Sequence, residues 1–378
     1  MNIKEYFGIG AIQNIPEILK SVNSKNIFLV RGKSSFETSG AEKLLEGLLK
    51  EYNVNYFSDF TENPKLADVI KGMDSFIETQ SDTVLAVGGG SIIDIAKSVN
   101  ILSFQANNPE SILKGETEII QRGKPLIAVP TTSGSGSEAT HFAVVYSGDK
   151  KYSLAHEFIL PEYSVVDPQL TFRLPQEITA TSGMDAFSQA MESYWNINAN
   201  DESRKYSTEA IQLIFDSLCK AVNDAGEESR ISMSRAAHLA GKAINITKTT
   251  GPHALSYYLT SHYGISHGQA VCISLGEFLK FNYEVTENDV NDGASAVEIK
   301  QSLDDLAKLS GCKDIDELKM KIHELIISAG LKTRLNELNI KGEDSINQIS
   351  ENVNTERLKN NPRRLTKENI VNILRNIA

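Results

Sequence analysis

Hydrophobic and polar positions follow two different patterns along the chain. In the first part, short apolar runs typical of buried parallel strands lie at 26–30, 83–87 and 125–129. Amphipathic patterns with a helical period fall between or after them, near 40–51, 65–78 and 92–102. Strands that alternate with helices in this way predict an α/β domain with a doubly wound parallel sheet.

From Pro175 onward the sequence shows no strand pattern, and long amphipathic stretches replace it. The predicted helices lie at 185–195, 202–225, 229–246, 269–281 and 313–329. We interpret the polar segment 341–359 as a solvated helix pair. The change of pattern within 168–176 predicts two domains, an α/β domain over 1–172 and an all-α domain over 173–378.

Composition and charge restrict the classes of function. The chain has 378 residues, of which 40% are hydrophobic and 23% charged, as expected for a globular protein with two cores. A formal net charge of −11 argues against nucleic acid as a partner. No apolar run reaches the roughly 18 residues needed to cross a bilayer, and the N-terminus lacks the apolar core of a signal peptide. Three widely spaced cysteines fit buried thiols in a reducing compartment. We therefore expect a cytoplasmic protein without a membrane partner.

A glycine-rich segment follows the second predicted strand and opens a helix. Glycines at 88–90 let the backbone approach a pyrophosphate, which the free N–H groups of the helix N-terminus then bind. The alternative is a tight turn in which Ser91 and Asp94 form a capping box. Three successive glycines exceed what a turn requires and favour phosphate binding. The segment 130–138, which is rich in hydroxyl groups, follows the next strand and suits ribose and phosphate oxygens.

Four side chains in the predicted helical domain form a candidate metal site. Asp185 and Gln189 stand four residues apart, on one face of a predicted helix. His253 and His267 follow with small and polar neighbours. Taken singly, each residue has an ordinary explanation as a surface polar residue or a core histidine. Together, a carboxylate, an amide oxygen and two imidazoles suit Zn²⁺ or Fe²⁺. With the nucleotide segment upstream, they predict metal-assisted hydride transfer.

The motifs resemble those of a known family in both order and spacing. They are Gly88-Gly-Gly-Ser-x-x-Asp-x-Ala-Lys97, Pro130-Thr-Thr-Ser-Gly-Ser-Gly-Ser-Glu138, Gly183-Met-Asp185 and His253…His267-Gly268. The family is the iron-containing (group III) alcohol dehydrogenases, and the resemblance covers essentially the whole chain. It implies a Rossmann-like dinucleotide-binding domain, a helical domain that binds metal and substrate, and a metal in the cleft between them. Such enzymes move hydride between an alcohol or aldehyde and a nicotinamide cofactor. We expect a homodimer.

The resemblance also implies which residues contact the cofactor. Gly89, Gly90 and Ser91, with Asp94 in the same motif, would lie at the pyrophosphate. Thr131, Thr132 and Ser135 would line the adenosine and nicotinamide side, and Lys151 would reach a ribose.

The preference between NAD and NADP depends on one loop. In relatives that prefer NAD, an acidic residue after the first strand of the nucleotide fold binds the ribose 2′-hydroxyl. Here Gly32 stands at that position, between Arg31 and Lys33. A glycine between two cations does not repel a 2′-phosphate, so NADP is favoured over NAD. The alternative is a solvated loop whose charges contact nothing.

Two positions depart from the family pattern. Most relatives have His where this chain has Gln189, which leaves open whether the metal is Fe²⁺ or Zn²⁺. We favour binding of the metal by the Gln189 side-chain oxygen. The alternative is that a water molecule takes this coordination position. Many relatives have a proton-relay His where this chain has Tyr257, so the proton source is open between Tyr257, a cofactor ribose, water and His262.

Segments 188–195 and 242–257 resemble the phosphonoacetaldehyde reductase branch of the family. That branch reduces phosphonoacetaldehyde to 2-hydroxyethylphosphonate in phosphonate biosynthesis. Lys248, and less directly Lys242, would supply cations for such a dianion. The alternative is that both lysine side chains extend to the surface.

Three other functions compete with this prediction. The first is reduction of another small polar or sugar-derived aldehyde. The second is a lyase similar to dehydroquinate synthase, which also uses nicotinamide, metal and lysines. The third is nucleotide binding without catalysis.

Overall fold

The computed structural model describes residues 3–61, 63–148, 150–291 and 293–378. The chain forms two compact units, Met1–Leu174 and Pro175–Ala378. The first contains a parallel sheet with helices, and the described part of the second is helical. This arrangement confirms the predicted fold class.

The described residues of the first unit form eight strands. They are β1 (Lys4–Phe7), β2 (Asn26–Arg31), β3 (Asn53–Phe57), β4 (Thr83–Gly88), β5 (Leu126–Pro130), β6 (Phe142–Ser147), β7 (Lys150–Ala155) and β8 (Tyr163–Val166). Six of these strands form a parallel sheet in the order β1-β8-β5-β4-β2-β3, and β6 and β7 form a separate antiparallel hairpin. Every residue of β4 and β5 is buried, which explains their continuous apolar sequences.

The helices predicted near 40–51, 65–78 and 92–102 are present with small shifts at their ends, and three short helices were not predicted. The helices of this unit are α1 (Ile15–Ser21), α2 (Ser35–Thr38), α3 (Ala41–Leu48), α4 (Leu66–Glu78), α5 (Gly90–Leu102) and α6 (Pro109–Leu113). From β2 the chain first adds β3 on one side and then returns to add β4 on the other. The carboxyl ends of β2 and β4 therefore form a topological switch point, where open α/β sheets bind their ligands.

The second unit is built from eleven described helices. They are α7 (Gln176–Trp195), α8 (Asp201–Asn223), α9 (Glu227–Thr247), α10 (Gly251–Tyr263), α11 (His267–Cys272), α12 (Leu275–Tyr283), α13 (Ala296–Leu309), α14 (Ile315–Ser328), α15 (Gly342–Glu351), α16 (Thr355–Leu358) and α17 (Lys367–Asn376). Helix α7 is buried along most of its length and packs against α8 and α9.

Two predictions about this unit are wrong in detail. The single helix predicted over 269–281 is two helices, because the chain turns at Ile273 and Ser274, where the Ser274 hydroxyl donates to the Val271 carbonyl. The segment 341–359 does form two helices, but it is not simply solvated. Ile346 and Ile349 are buried in an apolar cluster with α10, α12 and α17. Among the described helices, none has the length and hydropathy that a bilayer-spanning segment needs.

Candidate active site

The glycine-rich segment leads from β4 directly into the N-terminus of α5. The helix begins at Gly90 with Gly89 as its N-cap, and no side chain caps it. The capping-box alternative is therefore wrong. Instead, the Asp94 carboxylate accepts hydrogen bonds from Ser137 Oγ at 2.6 Å and from the Val144 N–H at 3.0 Å. The Ile92 and Ile93 N–H groups donate to the Gly89 carbonyl, so the N–H groups of Gly90 and Ser91 are the ones placed to bind an anion.

A second loop lies directly against these glycines. A Cβ on Gly89 would be 3.3 Å from Thr132 Cγ2, and one on Gly90 would be 2.6 Å from Ser135 Oγ. The Thr131 N–H also donates to the Gly88 carbonyl at 3.0 Å. The structure thus brings together the two predicted phosphate-binding segments, and Ser91 lies at the same helix start.

Charged side chains hold the loop that follows. Lys97 Nζ donates to the Thr140 carbonyl at 2.7 Å and to the Phe142 carbonyl at 2.9 Å, and burial lowers the pKa of Lys97 to about 8. Burial raises the pKa of Asp94, although Lys97 and Lys151 oppose that shift. Asp94 therefore fixes residues 137–144 through contacts within the protein. Lys151 lies on β7, with its charge close enough to attract Asp94.

Gly32 follows β2 at the switch point, and it is buried. A Cβ there would lie 2.0 Å from Ser35 Oγ and 3.0 Å from Ile92 Cδ1, so close packing explains this glycine. The Arg31 guanidinium lies over the Phe36 ring at 5.2 Å and donates to the Gly32 carbonyl. Arg31 is thus already engaged, and Lys33 is the exposed cation of the pair.

The candidate metal ligands converge in the second unit. Asp185 and Gln189 lie one turn apart on α7, His253 lies in the first turn of α10, and His267 begins α11. Asp185 Oδ1 is 3.3 Å from His253 Nε2 and 3.8 Å from His267 Nε2. One ligand atom from each of these three residues lies within 4.8 Å of the other two. Gln189 hydrogen-bonds to Asp185.

The donor set fits a divalent metal ion. Asp185 Oδ1 is buried and accepts no well-directed hydrogen bond among the described residues. The opposite ring nitrogens of the histidines contact other groups, because His253 Nδ1 contacts Glu192 Oε1 and His267 Nδ1 lies 3.5 Å from Ser256 Oγ. Both Nε2 atoms are therefore directed towards Asp185, as in a tetrahedral site with nitrogen and oxygen ligands.

The electrostatics of the cluster keep Asp185 ionised. Burial alone would raise the pKa of Asp185, but the charges of His267 and His253 hold it below its usual value. Burial alone would lower the pKa of His253, but the carboxylates of Glu192 and Asp185 outweigh burial and raise that pKa to about 10. The site is thus strongly anionic and favours a cation, either a proton or a metal ion.

Glycines allow the elements that carry the ligands to pack closely. A Cβ on Gly268 would lie 1.8 Å from the Thr181 carbonyl oxygen, so only glycine lets α11 approach α7 next to His267. A Cβ on Gly251 would lie 2.1 Å from Phe278 Cε1, and this close contact positions the start of α10. Close packing of glycines explains why the metal ligands have these neighbours in the sequence.

Glu192 is a site residue that the sequence analysis missed. It is fully buried, and its second oxygen accepts hydrogen bonds from the Thr250 N–H at 2.6 Å and from Thr250 Oγ1 at 2.9 Å. Glu192 thereby links α7 to the segment that carries His253. A usable signal was present, because positions 185, 189 and 192 share one face of a helix.

The remaining candidates lie at different distances from the ligands. The Tyr257 ring stacks near His267, with centroids 6.4 Å apart, whereas His262 stacks on Tyr258. Lys248 ends α9 in an unusual conformation, φ 63° and ψ −172°. Lys242 Nζ lies 4.7 Å from the Tyr206 ring centroid, a contact that competes with its predicted role in substrate binding.

Comparison with protein families gives two matches that together cover most of the chain. Residues 3–168 match the iron-containing alcohol dehydrogenase model. Residues 179–378 match the C-terminal model of the Fe-containing alcohol dehydrogenase family.

Individual relatives are named for different activities. Long-chain-alcohol dehydrogenase 1 of Geobacillus thermodenitrificans is 32% identical over 71% of this chain and 69% of that protein. Phosphonoacetaldehyde reductase of Streptomyces viridochromogenes is 31% identical over 78% of this chain and 76% of that protein. The solved structure of sulfoacetaldehyde reductase from Bifidobacterium kashiwanohense, in complex with NAD⁺, is similar with a TM-score of 0.89 and 29% identity. That match covers 100% of this chain and 97% of the other.

Proposed function

The chain belongs to the iron-containing alcohol dehydrogenase family, and we propose that within it the protein reduces a small anionic aldehyde, phosphonoacetaldehyde, to 2-hydroxyethylphosphonate. Its relatives include alcohol dehydrogenases and aldehyde reductases. The observation that carries metal-dependent reduction is the convergence of Asp185, His253 and His267 on one point, and the relative that reduces phosphonoacetaldehyde supports the choice of substrate.

Asp185, His253 and His267 would hold one divalent ion, Fe²⁺ or Zn²⁺, with Gln189 as a fourth ligand through its side-chain oxygen. When bound, such an ion supplies Lewis-acid chemistry that polarises a carbonyl group. Glu192 keeps His253 oriented, because its carboxylate holds Nδ1 and leaves Nε2 for ligation. Thr250 in turn fixes Glu192 through two hydrogen bonds.

A bound reduced nicotinamide would supply hydride for the aldehyde carbon, and the reaction also needs a proton for the carbonyl oxygen. Tyr257 is our candidate for positioning that proton, because its ring lies beside His267. His262 is a weaker candidate, because it is exposed and stacks on Tyr258.

We assign the nicotinamide cofactor to the first unit, at the carboxyl ends of β2, β4 and β5. The N-terminus of α5, with Gly89 and Gly90, would bind the pyrophosphate. The NAD⁺ complex of the sulfoacetaldehyde reductase supports a nicotinamide dinucleotide. We propose NADP as the preferred form, because Gly32 leaves no carboxylate beside the 2′-position and Lys33 is exposed nearby.

Lys248 supports an anionic substrate. Its backbone lies in a region that is essentially restricted to glycine, at a cost of about 1–3 kcal/mol. The Lys248 carbonyl accepts hydrogen bonds from Asn196 Nδ2 and Thr247 Oγ1, which hold this conformation. Lys248 thus places a positive charge on a strained backbone five residues before His253, and strain that is kept at such a position fits a substrate-binding role.

A panel of aldehydes tests this proposal. Metal-loaded protein would be assayed with NADPH and NADH on phosphonoacetaldehyde, sulfoacetaldehyde and an uncharged aldehyde of similar size. We expect the highest kcat/KM for phosphonoacetaldehyde. Preference for the uncharged aldehyde would refute the proposed substrate class.

Sulfoacetaldehyde is the second candidate substrate, because the sulfoacetaldehyde reductase resembles this chain over its full length. The same panel separates the two anions. A lyase would regenerate its cofactor, so stoichiometric oxidation of NADPH during turnover excludes that alternative.

A further inference from the structure

Helix α16 lies across the segment that leads into His253. At one end, the Asn354 N–H donates to the Ala254 carbonyl at 3.3 Å. At the other end, Asn360 Nδ2 donates to the Thr249 carbonyl at 2.9 Å. Arg357 lies between these two anchors, and only 7% of its surface is exposed. Helix α16 is thus held against residues 249–254.

The Arg357 guanidinium hydrogen-bonds to the Tyr257 hydroxyl. Tyr257 lies one helical turn after His253, and its ring stacks near that of His267. A single aromatic side chain therefore connects a buried positive charge to the metal-ligand cluster. Arg357 is also close enough to Glu192 for their charges to attract.

The Arg357 guanidinium determines the net charge of the metal-filled site. The two buried carboxylates, Asp185 and Glu192, balance a divalent ion when both histidines are neutral. Arg357 then gives the filled site a net positive charge. A site of this kind disfavours cationic ligands and favours an anion, whose desolvation the buried guanidinium offsets.

We propose that Arg357 is a specificity-determining residue that binds the anionic head group of the substrate, with Tyr257 positioning its guanidinium. This inference rests on the proposed reduction of an anionic aldehyde. The planar guanidinium matches two oxygens of a phosphonate at once, which a lysine ammonium does not. Lys248 directly precedes the anchored residue Thr249 and adds a second, point-like cation to the same part of the protein.

Substitution of Arg357 tests the inference. Arg357→Lys keeps the positive charge but removes the planar guanidinium that can bind two oxygens at once. We expect it to lower kcat/KM for phosphonoacetaldehyde by about 10- to 100-fold and to weaken competitive inhibition by ethylphosphonate similarly. Activity on an uncharged aldehyde should stay within about threefold. Arg230→Lys is the matched control, because Arg230 is another buried guanidinium, on α9, and should affect both aldehydes alike.

Equal losses on charged and uncharged aldehydes, with unchanged ethylphosphonate inhibition, would overturn the inference and leave Arg357 a structural role. If the Arg357 variants do not fold, Tyr257→Phe decides. It removes the hydroxyl that Arg357 contacts. Because Tyr257 is also the candidate for positioning the proton, the deciding measurement is inhibitor binding and not turnover: weaker competitive inhibition by ethylphosphonate supports the proposal, whereas unchanged inhibition refutes it.

The proposed substrate and the proposed role of Arg357 can be tested independently of each other. If the wild-type protein prefers sulfoacetaldehyde, phosphonoacetaldehyde is the wrong substrate, but loss of ethanesulfonate inhibition in Arg357→Lys would still support Arg357 as the anion-binding residue. If neither ethylphosphonate nor ethanesulfonate inhibits the wild-type protein, the Arg357 inference is wrong.

Discussion

His253 contacts Glu192 through Nδ1 while its Nε2 lies 3.3 Å from Asp185 Oδ1. One carboxylate therefore orients the imidazole, and the other lies where a shared metal ion would bind. Such carboxylate–histidine pairs fix the tautomer of the ring and increase its basicity as a ligand. Because Glu192 is fully buried and also holds Thr250, the arrangement is rigid.

We expect Glu192→Gln to weaken metal binding by about 10- to 100-fold, the usual cost of losing a partner of a metal-ligating histidine. The amide keeps the shape of the side chain but removes the charge beside His253. Isothermal titration with Zn²⁺ would measure the affinity. Glu209→Gln is the control, because Glu209 pairs with Arg235 with 45% of its side chain exposed. Equal affinities in both variants would contradict an orienting role for Glu192.

We expect Gly268→Ala to destabilise the protein and to displace His267. The added Cβ would meet the Thr181 carbonyl oxygen at 1.8 Å, and backbone cannot move aside as a flexible side chain does. Overpacking of this kind costs roughly 1–3 kcal/mol in the free energy of unfolding. Urea unfolding and metal content would measure the two effects.

Gly47→Ala provides the matched comparison. Gly47 lies within α3, and a Cβ there meets nothing within 4 Å. It should stabilise the protein by about 0.5–1 kcal/mol, because alanine is the better helix former. A Gly268→Ala variant that is as stable as Gly47→Ala and retains its metal would refute the packing argument.

The candidate metal ligands were easier to recognise in the sequence than the residues that surround them. Asp185 and Gln189 share one helix face, and that spacing is visible without a structure. Glu192 continues the same helix face, so its position was visible in the sequence, but the sequence does not show that its carboxylate contacts His253. Arg357 lies 104 positions after His253, and only the folding of α16 against residues 249–254 brings it near. No local pattern encodes such a contact.

The nucleotide segments show the same contrast. The glycines at 88–90 and the hydroxyl-rich loop were predicted to share a ligand, and the structure packs Gly90 against Ser135. The capping box of Ser91 and Asp94 was wrong because Asp94 bonds to Ser137, from a loop 43 residues later. Tertiary contacts overrode a local preference.

Protons should compete with the metal for His253. Its pKa is raised to about 10 in the metal-free protein, so the ring must lose a proton before Nε2 can bind a metal ion. Apparent metal affinity should therefore rise by about tenfold per pH unit between pH 6 and 9, with proton release on binding. Titrations in buffers of different ionisation enthalpy would measure both. Constant affinity across that range would contradict a protonated His253.

The same pKa predicts the pH dependence of stability. A raised pKa stabilises the metal-free fold fully below the ordinary value of 6.5 and loses that effect as pH rises through about 10. The melting temperature of chelator-treated protein should fall over this interval. A melting temperature that rises instead would show that His253 is neutral in the metal-free protein.

Lys33 should affect NADPH more than NADH. It is the exposed cation beside Gly32, whereas Arg31 lies over Phe36. If Lys33 binds the 2′-phosphate, Lys33→Gln should raise the KM for NADPH by about tenfold and leave NADH unchanged. Steady-state kinetics with both cofactors would measure this. Lys43→Gln, on the exposed face of α3, is the control. Wild-type protein that uses NADH far better than NADPH would refute the NADP proposal.

Substitutions of Lys248 should affect stability and substrate preference in different ways. Lys248→Gly should relieve backbone strain of about 1–3 kcal/mol. Part of that gain is lost, because glycine adds about 0.4–1 kcal/mol of unfolded-state entropy. The net expectation is a protein more stable by up to about 2.6 kcal/mol in urea unfolding. Relative to wild type, Lys248→Gly should also lose more kcat/KM on phosphonoacetaldehyde than on an uncharged aldehyde.

Lys248→Met shows which property of the residue matters. It keeps the strained backbone and the apolar stem but removes the ammonium, so it should lose the preference for the anionic aldehyde without gaining stability. If Lys248→Gly is less stable than wild type, the conformation at 248 is not strained. If both variants keep the preference, Lys248 does not contact the anion. A Lys248→Gly variant that is more stable and less selective would mean that the strain is retained because the cation is needed at that position.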